Sequence, residues 1–210
     1  MQRTSLVFLS LLVLAAVGGL AARSHAGSIT TAEAVVKLVP LPDAPLQIVS
    51  LKYKGEEIIA GQPFAVPTGV DWMSDLEVTV KNVGTRVVQY VEVQGGFRQR
   101  GTDPAPADLT FAKGTHYAYP SHARGNAPPL DLQPGATLTM RPSPLAKQVL
   151  NEMIANRKYT DELARNITLG LRMVFYGENE GWYKGHETLR DPENPSHWVR
   201  ADILRAGAKQ

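Results

Sequence analysis

Apolar and polar side chains alternate along much of the chain, a period of two that is typical of β-strands with one buried face. The clearest run lies at residues 167–175, where every second position is apolar: Ile167, Leu169, Leu171, Met173 and Phe175. We expect all five side chains to share one face of a strand. Residues 177–181 then supply a turn, and residues 182–189 are predicted to return as the next strand.

A hairpin is predicted where Val49, Leu51 and Tyr53 alternate with polar residues before a turn at residues 54–57. We expect these three side chains to share one face. The chain then continues toward Ile58-Ile59 as the second arm of the hairpin.

A second hairpin is predicted around the sequence Asn82-Val83-Gly84-Thr85, which places glycine where a turn favours positive φ. Residues 76–81 alternate before this turn, and residues 86–97 follow as the return strand. A further strand is expected at residues 136–141, with Leu138 and Met140 facing inward, after the turn Leu132-Gln133-Pro134-Gly135.

The period then changes to that of a helix. Ser143 is a suitable N-cap and Pro144 suits the first helical position. The apolar positions that follow have helical spacing: Leu145, Val149, Leu150, Met153 and Ile154. We predict a surface helix over residues 144–158 whose apolar stripe packs on a sheet.

Seven or eight strands joined by turns, with one helix inserted among them, predict a mainly β protein built as an antiparallel two-sheet β-sandwich. The chain has 210 residues and no cysteine, so its core must form without disulfides. Four segments are expected: a signal peptide at 1–26, a flexible linker at 27–45, the β-sandwich domain at 46–200 and a C-terminal tail at 201–210.

The first segment has the features of a secretory leader. Arg3 precedes an apolar run from Leu6 to Leu20, and Ser24 and Ala26 are the small residues that signal peptidase accepts before Gly27. The alternative is a leader retained as an anchor, but the apolar run is shorter than the roughly 20 residues that span a bilayer. We therefore expect cleavage, a periplasmic or extracellular location, and no membrane span after cleavage.

Charge and composition exclude several function classes. Lys and Arg number 22 against 20 Asp and Glu, and loss of Arg3 and Arg23 with the leader leaves 20 against 20. Without a basic cluster the mature chain has no strong electrostatic attraction to nucleic acid, so no nucleic-acid partner is predicted. The lack of cysteine excludes thiol catalysis and cysteine-ligated metal sites.

Sequence motifs for catalysis are absent. There is no G-x-S-x-G, S-x-x-K, H-E-x-x-H, P-loop or G-x-G-x-x-G. Two of the acids Asp71, Asp75, Glu178 and Glu180 would serve glycoside hydrolysis if they lay about 5–9.5 Å apart beside a sugar cleft. The simpler interpretation is that these acids are solvated turn residues. We predict no catalytic residue and no cofactor.

Aromatic and histidine side chains are the best candidates for ligand binding, because flat rings with a polar edge stack on sugars. Trp72 and Trp182, at strand starts, are also suited to a sandwich core. Residues 98–130 form an unusually long connection, interpreted either as a binding loop or as two short edge strands at 109–111 and 115–119. The candidate ligand-binding residues are His116, Tyr117, Tyr119, His122, Trp182, Tyr183 and Trp198.

A metal site is a weaker possibility. His186 and His197, with Asp191 between them, would form such a site if they met at one end of the final hairpin. Their spacing does not match recognised zinc motifs, and we prefer the interpretation that they are surface imidazoles in loops. No metal is predicted.

The segment Leu76 to Thr85, followed by Leu132-Gln133-Pro134-Gly135, resembles exported bacterial immunoglobulin-like β-sandwich domains of unknown function. The ending, with Trp182-Tyr183-Lys184-Gly185, Arg190-Asp191-Pro192 and Trp198, is similar to endings of uncharacterised exported bacterial proteins. The resemblance implies an immunoglobulin-like fold and an envelope location, and it transfers no catalytic residue.

These observations predict an exported, non-enzymatic binding or structural module whose partner is an envelope protein or a glycan. The alternative is a carbohydrate-binding module, or else a glycan-acting hydrolase. Exposed tryptophans would favour the alternative, and buried indoles would weaken it.

The position of leader cleavage is directly testable. If the chain is exported and cut after Ala26, the mature protein begins at Gly27. Amino-terminal sequencing and intact mass measurement of protein recovered from outside the cytoplasm check this. A mature chain that still carries the apolar segment would contradict cleavage and favour an anchor.

Overall fold

A computed structural model describes residues 31–68, 71–97, 109–118, 127–155 and 165–207. Over these ranges the chain is mainly β, with two sheets and few helices, as the alternating pattern predicts. The predicted leader, residues 1–26, lies outside the described residues, as do two candidate binding residues, Tyr119 and His122.

The strands are numbered in chain order. Those of the described residues are β1 (Thr31–Leu38), β2 (Leu46–Tyr53), β3 (Glu56–Glu57), β4 (Pro63–Pro67), β5 (Leu76–Asn82), β6 (Tyr90–Phe97), β7 (Leu109–Gly114), β8 (Thr137–Met140), β9 (Asn166–Phe175), β10 (Glu180–Tyr183), β11 (His186–Arg190) and β12 (Trp198–Arg200). The helices are a 3₁₀-helix (Asp71–Asp75), α1 (Pro144–Ala155) and α2 (Ala201–Gly207).

The larger sheet is organised around β9. Strand β6 runs antiparallel along one side of β9, and β7 lies beyond β6. The other side of β9 is divided between two strands, because β1 pairs in parallel with its first half and β10 pairs antiparallel with its second half. Strand β4 extends the sheet beyond β1, and β11 and β12 extend it beyond β10.

The smaller sheet has the order β3-β2-β5-β8, with antiparallel pairing throughout. Buried side chains of both sheets form one continuous apolar cluster. Its largest fully buried members include Trp72, Phe111, Leu76 and Leu169. The core is therefore shared between the sheets, and the described chain is held together by apolar contact.

The predicted hairpin between residues 76–81 and 86–97 is wrong. Strand β5 lies in the smaller sheet between β2 and β8, whereas β6 lies in the larger sheet between β7 and β9. The turn carries the chain from one sheet to the other because other segments bind it. The backbone N–H groups of Val83 and Gly84 both donate to the carbonyl of Pro45.

Asn82 joins this crossover to the turn that precedes β8. Its side chain is 1% exposed. Nδ2 donates to the carbonyls of Arg86 at 2.8 Å and Leu132 at 2.9 Å, and Oδ1 accepts from the N–H of Gly84 at 3.1 Å. The Asn82 backbone also bonds the Gly135 N–H and the Ala136 carbonyl. The amide thus satisfies buried backbone groups from two turns.

Strand β9 is present as predicted, but its five alternating residues do not share one face. The pairing with β6 shifts register between Glu92 and Val93. Consequently Leu171 packs in the core shared by both sheets, whereas Met173 and Phe175 belong to a separate cluster. An extra residue on one strand of a pair reverses the alternation beyond it, which a count of every second residue does not detect.

Strand β2 also contains a register shift, so the prediction that Val49 shares a face with Leu51 and Tyr53 is wrong. The β2–β5 register shifts between Ile48 and Ser50, and Val49 is exposed rather than aligned with the buried Leu51 and Tyr53. A hairpin is confirmed here, but it turns at Lys54-Gly55, both of which have positive φ. Its second arm is Glu56–Glu57, within the predicted turn, and not Ile58-Ile59.

Two described segments, near either end of the chain, contain secondary structure that the pattern did not predict. The segment predicted as a flexible linker contains β1, because its apolar residues Ala34 and Val36 reach the shared core between β4 and β9. The predicted tail contains α2, whose Ala201 is buried. The single strand predicted at 182–189 is in fact two strands, β10 and β11, separated by the positive-φ turn Lys184-Gly185.

Helix α1 is confirmed over Pro144–Ala155, and Ser143 Oγ accepts from the N–H of Ala146 at 3.1 Å, as an N-cap does. The predicted buried stripe is wrong at two positions, because Leu145 and Val149 are 51% and 43% exposed. Ala146 is the buried residue of the first turn. The side chains of the other predicted stripe positions, Leu150, Met153 and Ile154, lie outside the described part of the structure.

Replacement of Asn82 tests the importance of the crossover. Asn82→Ala leaves the carbonyls of Arg86 and Leu132 without the side-chain donor, and we expect a loss of about 2–4 kcal/mol in the free energy of unfolding. Thr79→Ala is the matched control: it lies on the same strand and removes one exposed side-chain bond, to Thr139, at an expected cost below about 1 kcal/mol. Urea denaturation measures both, and equal effects would contradict this role for Asn82.

Candidate functional site

The outer face of the larger sheet, which points away from the shared core, carries a second apolar cluster. Tyr90, Met173 and Phe175 are buried there. Partly buried side chains pack against them: Ala112, Tyr117, Ala118, Tyr183 and Trp198. The register shift in β9 creates this cluster, because it directs Met173 and Phe175 outward while Val174 points to the core.

Phe175 lies at the centre of a group of rings, here called the aromatic cluster: Tyr90, His116, Tyr117, Phe175 and Trp198. The centroid of the Phe175 ring lies 4.7 Å from that of Trp198, 5.5 Å from His116, 5.6 Å from Tyr90 and 6.0 Å from Tyr117. The contacts with His116 and Tyr117 are edge-to-face. Such contacts fix ring orientation.

Gly181 makes room for this arrangement. A Cβ atom at this position would lie 2.7 Å from Cδ1 of Phe175 and 2.7 Å from the carbonyl oxygen of Val174. Gly181 pairs directly with Phe175 in the β9–β10 ladder. Its missing side chain therefore lets the Phe175 ring lie over β10.

The loop after β7 is fastened to the sheet through Tyr117. Its hydroxyl donates to Oε1 of Gln89 at 2.6 Å, and its carbonyl accepts from Nη2 of Arg190 at 2.8 Å. Burial raises the pKa of Tyr117, and the charge of Glu178 raises it further. The neutral phenol is thus the favoured form, consistent with its role as donor.

A carboxylate is buried beside the aromatic cluster. Glu92 is 3% exposed. Its Oε2 accepts from the hydroxyl of Tyr90 at 2.7 Å, and its Oε1 accepts from Nη1 of Arg172 at 3.0 Å. Both oxygens are engaged, so this group orients the Tyr90 ring and is compensated by a cation.

A cleft of about 430 Å³ opens next to Tyr90, between β7 and residues 127–130. It is lined by Tyr90, Ala112, Lys113, Gly114, Ala127, Pro128, Pro129, Leu130 and Ser143. The far wall is held in place because Leu130 N–H donates to the carbonyl of Gln89 at 2.9 Å and the Thr115 hydroxyl donates to the carbonyl of Ala127 at 2.6 Å. The cleft is therefore largely preformed.

The structure brings four of the predicted binding residues to this face: His116, Tyr117, Tyr183 and Trp198. His116 is buried, at 7% exposure, with its ring 4.8 Å from that of Tyr90. Trp182 points the other way and packs in the shared core, as Trp72 does. Two of the three indoles therefore have their rings in the interior, which weakens the predicted sugar-stacking platform.

The three weak metal candidates do not converge. His186 begins β11, whereas Asp191 and His197 lie beyond its other end, in the connection to β12. Asp191 Oδ1 accepts from the N–H of Glu193, and His197 Nδ1 contacts Asn194 Nδ2 at 3.2 Å. Among the residues described, no group of three or more metal-ligating side chains comes together.

Sequence reasoning missed Tyr90, Glu92, Ala112 and Leu130. Glu92 lies between Val91 and Val93, so the alternation of β6 indicates an exposed polar position. The consecutive prolines Pro128-Pro129 were the available signal for the cleft wall, because proline has no N–H and resists pairing with a strand.

Comparison with models of known protein families, with curated proteins and with solved structures finds no match. Neither helix of the described ranges is long and apolar enough to cross a membrane.

Substitution of Gly181 tests the packing of the aromatic cluster. Gly181→Ala introduces a methyl group into the space of Phe175 and the Val174 carbonyl, and we expect a loss of about 1–3 kcal/mol. Gly177→Ala is the matched control, because a Cβ there meets nothing within 4 Å. Near-ultraviolet dichroism and thermal unfolding check both. An aromatic signal unchanged in Gly181→Ala would contradict the proposed ring packing.

Proposed function

We propose that this chain is an exported, non-enzymatic binding module with an immunoglobulin-like β-sandwich fold, and that its ligand binds in the cleft beside β7. The cleft is the observation that carries the proposal. Its volume of about 430 Å³ falls in the usual range of ligand pockets. Its lining is mostly apolar, as expected of a site that removes a ligand from water.

The surroundings of the cleft support a preformed site. Tyr90 contributes to the wall, and its position is fixed by the bond to Glu92 and by ring contacts with His116 and Phe175. The wall from Ala127 to Leu130 is bonded to Thr115 and Gln89. A rigid wall reduces the conformational entropy lost on binding, and this favours recognition.

Export is supported by the leader pattern of residues 1–26. The partner would then be an envelope or extracellular molecule. The non-enzymatic interpretation is supported by two buried residues whose contacts are structural: Glu92 accepts from Tyr90 and Arg172, and the His116 ring packs against Tyr90 and Phe175.

The carbohydrate-binding alternative requires flat rings open to a sugar. Trp72 and Trp182 are buried in the shared core. We therefore place the ligand in the cleft and not on a tryptophan platform.

The site is tested by filling the cleft. Ala127 is exposed and lines it, so Ala127→Trp is expected to block the ligand while leaving the core intact. Amide chemical shifts of labelled protein are followed while peptide, oligosaccharide and small apolar libraries are added. Binders should shift Ala112, Gly114 and Leu130, and Ala127→Trp should weaken them about tenfold or more, near 1.4 kcal/mol.

Ala65→Trp is the matched control, because Ala65 is also exposed but lies on β4 and outside the cleft lining. It should bind as the unsubstituted protein does. Shifts confined to other surfaces, or no binder from any library, would contradict the cleft as a site. Hydrolytic turnover by the purified protein would contradict the non-enzymatic assignment.

A further inference from the structure

The open edge of β7 lies inside the cleft, and we infer that the ligand is an extended peptide segment of a partner protein, which joins the larger sheet as a strand beside β7. This inference rests on the proposed function, because it names the ligand class of the same cleft.

The register shows which backbone groups of β7 face the cleft. Thr115 N–H donates to the carbonyl of Gln89, one residue beyond the Tyr90–Gly114 pair. In an antiparallel ladder this makes Tyr90–Gly114 a non-hydrogen-bonded pair, and the pattern recurs at every second residue. Glu92–Ala112 is therefore also non-hydrogen-bonded, so the N–H and C=O of Ala112 point away from β6.

An independent contact indicates the same orientation of the backbone groups along β7. The Ser143 N–H donates to the carbonyl of Thr110 at 3.3 Å, which requires the Thr110 carbonyl to point outward from β6. Thr110 and Ala112 are two residues apart and share this orientation. Ala112 thus presents one donor and one acceptor at the edge of the larger sheet.

Among the segments that the structure describes, both ends of this edge are covered and none pairs with its middle. Ser143, the cap of α1, bonds the edge at Thr110. Beyond Gly114 the place beside β6 passes to residues 130–132, where Leu132 pairs with Val88. Among the described residues, the N–H and C=O of Ala112 have no hydrogen-bond partner. An edge with a free donor and acceptor is a template for another strand.

The opposite wall does not close this edge. Pro128 and Pro129 have no N–H and cannot donate to the Ala112 carbonyl as a neighbouring strand would. Their rings and Leu130 instead form an apolar surface facing β7. An incoming backbone supplies both the missing donor and the missing acceptor, and its side chains contact this surface.

The lining also indicates the side chains of the peptide. Ala112 and Gly114 are small, so a backbone approaches closely, and Tyr90 and Leu130 favour one apolar side chain. Lys113 is the charged residue of the lining and is exposed at the rim. We expect an extended segment with an apolar residue and a neighbouring acidic residue. Pairing of two copies of this chain at β7 would instead bring two positively charged Lys113 side chains into one small interface, which disfavours a second copy as the occupant.

The experiment uses the purified protein and a library of capped peptides of about eight residues, an ample length for the short open edge. Peptides that bind are resynthesised with one backbone amide methylated at a time. Methylation of the peptide amide that donates to the Ala112 carbonyl should weaken binding about tenfold or more. Methylation of the amides one residue before and after it should have little effect, because only every second residue of a strand directs its N–H toward the same neighbouring strand. Side chains are unchanged in this series.

Amide hydrogen exchange supplies the second readout. A bound peptide should slow exchange at Ala112, and the matched control is Lys113, whose pair with Val91 belongs to the bonded set of the β6–β7 ladder and whose exchange should change little. Sedimentation should show a monomer before and after peptide addition.

Several outcomes would overturn the inference. Strand addition would be refuted by peptides that bind in the cleft but do not slow hydrogen exchange at Ala112, or whose binding does not depend on alternate backbone amides. The cleft would then remain a binding site. Sugars or small apolar molecules binding there, with no peptide binding up to about 1 mM, would do the same. A dimer that pairs through β7 would assign the edge to a second copy. Failure of every library to reach the cleft would refute the proposed function as well.

Discussion

The irregular pairing between β6 and β9 determines what both faces of the larger sheet can do. Up to Leu171 the apolar side chains of β9 pack in the core shared with the smaller sheet, and beyond the shift Met173 and Phe175 pack on the outside. One strand thereby supplies two apolar clusters. Without this change of phase, Phe175 would lie in the core, and the rings of Tyr90, His116 and Trp198 would lose the side chain that joins them.

The larger sheet therefore differs from one with a plainly solvated outer face. Its outer side is covered near β9 and β10 by aromatic rings, and the cover ends at β7, where the wall of residues 127–130 leaves a gap. The cluster is stiffened by bonds from Tyr117 to Gln89 and from Arg190 to Tyr117. Such fixed surroundings suit a surface that recognises a partner without first rearranging.

The sequence pattern predicted the elements better than their partners. Strand β9, the hairpin at Lys54-Gly55 and the cap of α1 at Ser143 follow from local propensity, and the structure confirms them. The sheet to which β6 belongs does not follow from local propensity, because a turn such as 82–85 suits either a hairpin within one sheet or a crossover between two sheets. The choice is made by Pro45 and Leu132, which bond the turn from distant parts of the chain.

At the candidate site, too, the sequence predicted individual residues but not how the strands pair. His116, Tyr117, Tyr183 and Trp198 were found from residue type, and they lie on one face of the larger sheet. The unpaired backbone groups of Ala112 could not be predicted, because they depend on which backbone groups of β7 face β6 and on where neighbouring segments end. No property of an alanine side chain indicates this. Register shifts in β2 and β9 were missed for the same reason, since they arise from pairing and not from composition.

The position of β1 has a consequence for the order in which the molecule assembles. Val35 pairs with Asn166, so the first described strand has no partner in the larger sheet on its β9 side until most of the polypeptide is available. Contacts so distant along the chain form slowly. The β9 side of β1 therefore closes only after residue 166 has been added, whereas β1 and β4 lie close enough along the chain to pair much earlier.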